Sequence, residues 1–425
     1  MHQPTDPPPR ILHIAQPVDG GVARVVTDLV RAQLAAGTRV AVACPDSPFA
    51  DALRRRGADV RPWRATRSPG PSLLGEVRRL AGIVAEVRPD LVHAHSAKAG
   101  LAGRLAVRGR VPTVFQPHAW SFEAVGAATA ALALAWERGA ARWAHRTVCV
   151  SEAERERGVR AGIDARWSVV PNGIDPVRHS PAPAGPVRAR LLPGVGPSAP
   201  LVVCVGRLCR QKGQDVLLAA WESVLRRCPD ARLVLVGDGP DGERLAARAP
   251  GSVLFAGAVP DPVPWYRAAD VVVLPSRWEG MALAPLEAMG CGRPVVVTDV
   301  DGARESLPGG LAAHCLVPPG DADALARALA ALLADPPLRE SLGQLARRHV
   351  LAAHDVRNTA DAVADVYRAL LDGRWPTPAT PATDTCPAAA PAASAVPVAP
   401  PSCPAGPAAS PAPAVSAEYR ESVHS

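Results

Sequence analysis

Lysine is almost absent from this chain. Only Lys98 and Lys212 are lysine among 47 basic residues; the rest are arginine. Where arginine is the default cation, a lysine can mark a site that needs a compact point charge rather than a planar fork. Aromatic residues are also scarce, at 4%, while Ala, Val and Leu abound. That argues against an all-β protein and for helices packed on aliphatic strands. No run of about 18 uninterrupted apolar residues occurs, which argues against a membrane-spanning helix. The best candidate, 124–136, runs straight into Glu137 and Arg138. The polar, Pro-rich start is unlike a signal peptide, and the chain is expected in the cytoplasm. The nine cysteines are scattered with no CxxC or Cys/His ligand spacing, so neither a metal site nor a disulfide framework is expected. Cys44, Cys149 and Cys204 lie in apolar runs where cysteine behaves as a small hydrophobe.

What is present points to two domains. The 425 residues exceed one ordinary domain, and 48% of them are hydrophobic, enough for sizeable cores. Residues 1–180 carry 25 Lys/Arg against 16 Asp/Glu, whereas the remainder carries 22 against 24. A basic N-terminal half suits an anionic partner. No nucleic-acid-binding signature appears, so phospholipid is preferred over nucleic acid, with peripheral contact at the inner membrane face; diffuse surface arginine is the plainer reading.

Short aliphatic runs alternate with helical patterns, which argues for α/β architecture with parallel sheets covered on both faces. Strands are read at 10–15, 39–44, 91–95, 113–118 and 147–151, with helices at 22–36 and 73–87. Ser151 and Glu154 fit a capping box opening a helix toward Gly162. After the turn at 169–175 the chain is rich in Pro and Gly to Pro200, and the pattern then restarts. Later helices are read at 216–227, 285–289, 322–334, 338–351 and 358–371. The expected boundaries are 10–180 for an N-terminal domain and 198–357 for a C-terminal domain. A helix at 358–375 is expected to pack back on the first domain. Residues 376–425 hold 12 prolines without periodicity and are expected to be disordered.

The informative segment is LPSRWEGMALAPLEAMGCGR, 274–293. It follows a strand, so it lies at the carboxyl end of a parallel sheet, where such sheets bind ligands. Pro285 suits the first helical position. That puts Glu279 and Gly280 in the loop and Glu287 in the first turn. Free N–H groups around Ala282–Leu286 form an anion site, flanked by carboxylates able to grip hydroxyls. Arg207 and Lys212, in the loop VGRLCRQKG, could both reach one pyrophosphate.

Glu279 and Glu287 stand in an E-x7-E arrangement. With VGRLCRQKG, GDGP (237–240), VVPNGID and EAMGCGRPVV, the chain over about 10–372 resembles a retaining glycosyltransferase of family 4 with the GT-B fold. The resemblance implies two doubly wound Rossmann-like domains facing across a cleft. It implies that Arg207 and Lys212 hold the diphosphate, Glu287 the ribose, and Glu279 with the amides of Gly280, Met281, Ala282 and Leu283 the hexose. The loops at Gly237 and Gly239 and near Val259 would frame the base. Gly20-Gly21 matches a flexible loop near the substrate phosphate, and His118 matches the histidine beside the anomeric centre. His95 and Lys98 match a segment lining the acceptor cleft. The Met281–Ala284 stretch is less bulky than is usual in the family, which bears on sugar preference.

Two patterns invite other readings. Gly237-x-Gly239-x-x-Gly242 is a formal dinucleotide fingerprint, but Pro240 removes an N–H where phosphate would want one. Asp299-Val-Asp301 resembles a metal-binding DxD, yet it leads into a turn that the family shares. The expected activity is transfer of a hexose or N-acetylhexosamine with retention, with no metal and no cofactor beyond the nucleotide sugar. The expected acceptor is lipid-linked or a cell-surface glycan precursor. An epimerase or phosphorylase on the same fold and a non-catalytic nucleotide-binding protein are the alternatives. Taken singly, Glu279, Glu287 and His118 could also be structural.

Overall fold

The computed structural model describes residues 7–196 and 198–371; the proline-rich stretch 376–425 and the end of the expected last helix lie outside them. Seven parallel strands form the first sheet: β1 (Arg10–Ala15), β2 (Arg39–Cys44), β3 (Asp59–Pro62), β4 (Leu91–His95), β5 (Thr113–Gln116), β6 (Arg146–Cys149) and β7 (Trp167–Val169). Their order is β3-β2-β1-β4-β5-β6-β7. Six more form the second: β8 (Leu201–Val205), β9 (Arg232–Val236), β10 (Val253–Gly257), β11 (Val271–Leu274), β12 (Val295–Thr298) and β13 (Leu316–Val317), in the order β10-β9-β8-β11-β12-β13. Most of their Val, Ile, Leu and Ala side chains are buried, as a parallel sheet covered on both faces requires, with partial exposure mainly in the outer strands β3, β7 and β10.

The strand order reverses between β1 and β4 in the first sheet and between β8 and β11 in the second. Loops after such strands diverge and leave a crevice at the carboxyl edge. Gly20-Gly21, the Arg207–Lys212 loop and Glu279 follow β1, β8 and β11, and His95 ends β4. Topology alone therefore brings the motif loops to the two switch points.

Helices Leu73–Val87 and Ala322–Ala334 have the bounds read from sequence. Three features differ. The short helix Pro48–Arg55 and strand β3 had no periodicity long enough to read. Helix Ser96–Val107 carries Gly100 and Gly103, which weaken a helical pattern. Here they serve packing: a Cβ on Gly100 would lie 2.2 Å from Phe115 Cε2, and one on Gly103 3.0 Å from Ile14 Cδ1. Finally, the helix Leu283–Gly290 begins two residues before Pro285. Pro285 is still within the turn whose N–H groups lack partners, but Glu287 falls in the second turn rather than the first.

The chain crosses between domains twice, and the crossings are paired. Ile174 N–H donates to the His354 carbonyl at 2.8 Å, and Val356 N–H to the Ile174 carbonyl at 3.0 Å. Helix Val356–Leu370 then lies along helix Gly20–Ala35.

Candidate active site

The loop after β8 ends in a 3-10 turn, Arg210–Lys212, closed by Gly213 at φ 67°. A Cβ on Gly213 would lie 2.0 Å from the Pro275 carbonyl oxygen, so only glycine lets this loop press on the one after β11. Two hydrogen bonds fasten the pair: Arg277 N–H to the Gln211 carbonyl at 2.7 Å and Gln211 Nε2 to the Trp278 carbonyl at 3.1 Å. The result places Lys212 Nζ 2.5 Å from Glu279 Oε1, which also accepts from Ser276 Oγ at 2.7 Å. Glu279 is buried, beside a small cavity that Ala282 and Pro285 share. A point cation and a carboxylate thus meet at the start of a helix, where backbone N–H groups lack intrahelical partners.

Arg207 is half-buried, and its guanidinium has no hydrogen-bond or ion-pair partner among the described residues. It is a free cation one loop-length from Lys212. Gly237 and Gly239 bring the turn after β9 against its loop: Cβ atoms there would lie 2.1 Å from the Gly206 oxygen and 2.3 Å from the Leu208 oxygen. Beside them lies a cleft of about 590 Å³ lined by Leu208, Asp238, Pro240 and Phe255. Val259 follows β10 and is half-buried.

Glu287 does not touch Glu279's partners. It is buried, accepts from Tyr266 Oη at 2.7 Å and pairs with Arg24 Nε at 3.2 Å, while His179 Nε2 lies 3.7 Å away, beyond hydrogen-bond reach. Arg24 belongs to the helix that starts at Gly20, so this ion pair spans the two domains. The seam continues at Gly280, whose carbonyl accepts from Ser151 Oγ at 2.9 Å, and at Met281, whose carbonyl accepts from Asn172 Nδ2 at 2.7 Å. Gly21 faces Leu283, with a hypothetical Cβ 3.8 Å from its Cδ1.

His118 follows β5 with φ 56°, and Ala119 has φ 91°. Left-handed conformations are uncommon for such residues and need support. Glu154 supplies it, accepting from Ala119 N–H at 2.6 Å and from Val150 N–H at 2.7 Å. The expected capping box is therefore half formed. Ser151 Oγ accepts from Glu154 N–H at 3.1 Å, but the Glu154 carboxylate reaches past Ser151 to Val150 and across to Ala119. Burial pushes Glu154 up to about 7. His118 Nε2 lies 3.2 Å from His95 Nδ1, and burial pushes His118 down to about 3, so both rings are neutral.

Two sequence families match this chain. The one described as "Glycosyltransferase Family 4" covers residues 19–178, and "Glycosyl transferases group 1" covers 199–335. The alpha-maltose-1-phosphate synthase of Mycolicibacterium smegmatis is 32% identical over 83% of this chain and 96% of its own. The chain belongs to glycosyltransferase family 4. A UDP-Gal:alpha-D-GlcNAc-diphosphoundecaprenol alpha-1,3-galactosyltransferase of Escherichia coli is 29% identical over 65% of this chain and 75% of its own. Anabaena HepE, solved in complex with UDP-glucose, superposes with a TM-score of 0.74 at 25% identity, covering 85% of this chain and 100% of that one.

In this family 4 glycosyltransferase the GT-B architecture is present as expected. The residues around the site include several that sequence reasoning missed. Arg24 left one signal: a cation in the first turns of a helix opposes the dipole and needs a partner. Tyr266 left none, since its contact to Glu287 is remote in sequence; Ser276 lies three residues before Glu279 in the segment singled out, and Glu154 was read as a cap and not as the support of Ala119. Lys98, expected to line the acceptor cleft, is buried. Its ammonium lies 2.6 Å from Glu76 Oε2, with both side chains nearly inaccessible, and it fastens helix Ser96–Val107 to helix Leu73–Val87. Asp301 is paired with Arg157, with Oδ1 2.6 Å from Nη2, and Asp299 is paired with Arg304 at 2.5 Å.

Proposed function

We propose that this glycosyltransferase moves a hexose or N-acetylhexosamine from a nucleotide diphosphate sugar with retention of anomeric configuration and without a metal ion. The observation that carries the reading is the Lys212–Glu279 contact at 2.5 Å beneath a helix start, with Arg207 free one loop away. A leaving diphosphate develops negative charge as the glycosidic bond breaks; fixed cations and N–H dipoles aimed there stabilise it without reorganisation. Arriving phosphate competes with Glu279 for Lys212, freeing that carboxylate for a sugar hydroxyl. Glu287 takes the ribose, and the loops at Gly237, Gly239 and Val259 frame the base. The reaction runs by front-face attack: the diphosphate accepts the acceptor's proton, and the His118 carbonyl faces the developing positive charge. In support, the carboxylates of the DxD-like pair are occupied by arginines.

For the acceptor, a lipid-linked saccharide or a cell-surface glycan precursor is preferred. The galactosyltransferase relative acts on a diphosphoundecaprenol by name, and the N-terminal half is basic. Among the described residues no helix is long and apolar enough to cross a membrane. Helix Ala127–Ala140 does leave Leu132 72% exposed, which suits peripheral contact at the inner membrane face. A small phosphorylated sugar is the second reading, favoured by the extent of the match to alpha-maltose-1-phosphate synthase. A panel of UDP- and GDP-sugars, scored for nucleoside diphosphate release with each acceptor class and with EDTA, tests the proposal. One donor should release diphosphate, and EDTA should change nothing. Release of sugar phosphate on adding inorganic phosphate, or epimerised sugar without acceptor, would identify a phosphorylase or an epimerase instead. Anionic vesicles should sediment the protein if the lipid reading holds.

A further inference from the structure

Behind the cleft stand His13, His93, His95 and His118, and the hydrogen bonds among them run one way. The far end is Gln33 on helix Gly20–Ala35. Its Oε1 lies 2.8 Å from His13 Nε2, and its amide also meets the Tyr367 hydroxyl. That hydroxyl lies 2.5 Å from His93 Nδ1. Tyr367 has one proton. Donated to His93 Nδ1, it leaves the phenol oxygen to accept from the Gln33 NH2, which turns Oε1 toward His13. His93 then carries its proton on Nε2. Gln116 on the adjacent strand acts on His93 and on His95 alike, and neither its Oε1 nor His93 Nε2 has a hydrogen-bond partner among the described residues.

With the end fixed, the rest follows. Burial keeps these imidazoles neutral, so each has one N–H and one bare nitrogen. His13 donates from Nε2 to Gln33, and its Nδ1 accepts from His95 Nε2 at 3.0 Å. His95 Nδ1 is therefore bare and accepts from His118 Nε2 at 3.2 Å. His118 Nδ1 is left without a proton.

A metal ion is the competing explanation, because nitrogens of His13, His93 and His95 lie within 4.8 Å of one another. The rings do not converge on a point. His93 and His95 lie with their centroids 3.9 Å apart and their planes tilted by 31°, whereas imidazoles sharing a tetrahedral ion at about 2.1 Å keep their centroids about 5 Å apart.

We propose that Gln33, His13 and His95 are positioning residues that hold His118 as its Nε2–H tautomer and offer Nδ1 as a bare acceptor to a hydroxyl of the donor sugar. The inference rests on the reading that His118 stands beside that sugar. Its structural half can be tested without turnover. Nitrogen NMR of the full chain labelled in histidine, with His118 assigned by its loss in His118→Ala, should show Nε2 protonated and Nδ1 bare. His13→Leu removes the acceptor for His95 and should mix the His118 tautomers. It should lower kcat about 5–30-fold, the effect of one or two kcal/mol, and leave UDP or GDP affinity within about twofold. His13→Asn restores an acceptor near the Nδ1 position and should recover the wild-type spectrum and most of kcat. Should His13→Leu not fold, Tyr367→Phe, which frees the Gln33 amide to flip, should give the same mixture. A protonated Nδ1 in the wild type, an unchanged spectrum and kcat in a folded His13→Leu, or one bound zinc per chain would each overturn the relay. If no nucleotide sugar is turned over, the transferase reading fails while the spectrum still decides the tautomer.

Discussion

Lys212 and Glu279 neutralise each other before substrate arrives, so removing either has two effects: it deletes a contact and leaves its partner unpaired. Lys212→Ala should lower kcat by about 10²–10³, the usual cost of deleting one preorganised charge-stabilising group, and should also weaken nucleoside diphosphate binding. Glu279→Gln should lower kcat comparably while tightening diphosphate binding, because the phosphate no longer competes with that carboxylate for Lys212. Initial rates and calorimetry with UDP or GDP separate the two patterns. Wild-type rates in Lys212→Ala would remove the basis of the mechanism. These two side chains were legible in sequence because their loops carry a spaced pattern. Arg24 and Gln33 were not, and Glu154 was legible only as a cap, because each acts through a partner made adjacent only by folding: Glu287, His13 and Ala119.

At the scale of elements, helix ends and helix pairs show how the domains are held. The helix Glu152–Arg160 starts with two N–H groups that no local carboxylate satisfies; Glu305 of the other domain accepts from both Glu152 N–H and Ala153 N–H at 2.8 Å. Such charge-assisted capping is worth about 0.5–2 kcal/mol. Glu305→Ala should lower stability by that amount in a urea melt and loosen the seam beside Gly280, raising KM for donor. A buried pair makes a larger claim. Arg104 Nη2 lies 2.7 Å from Glu137 Oε2, with its guanidinium 3.8 Å from the Phe115 ring centroid. It joins helix Ser96–Val107 to helix Ala127–Ala140. Arg104→Met strands the Glu137 carboxylate and should cost about 3–5 kcal/mol, while Arg104→Met with Glu137→Leu should recover most of it. Helix Ser96–Val107 was also the element hardest to read. Its glycines look like breaks in sequence, and only the approach to Phe115 and Ile14 explains them. Helix Ala322–Ala334 was easy, since its periodic Leu and Ala face one core and Asp321 caps it by accepting from Ala324 N–H.

For the whole molecule, two doubly wound domains were legible from alternating strands and helices, whereas the seam joining them was not, because contacts between domains leave no periodicity. The seam and the sheet edge hide ionisable groups, and these set how stability responds to pH. Burial pushes His13 down to about 4 and His118 to about 3, and holds His93 and His95 well below the ordinary histidine range. Unfolded, the same histidines bind protons near 6.5. Between these values the unfolded chain carries more protons, so this stabilisation is complete above about pH 6.5 and is lost as pH falls toward 4. Glu123 and Glu154 act oppositely. Burial raises both to about 7, so the folded state holds more protons from about 4.5 to 7, and their contribution fades as pH rises through 7. Four histidines outweigh two carboxyls, and His179 and His354, also lowered by burial, add to the same side. The urea midpoint should therefore be lower at pH 5 than at pH 7.5, with net proton uptake on unfolding at the lower pH. An equal or higher midpoint at pH 5 would mean that the buried imidazoles are not neutral, and the hydrogen-bond polarity assigned to them would go with it.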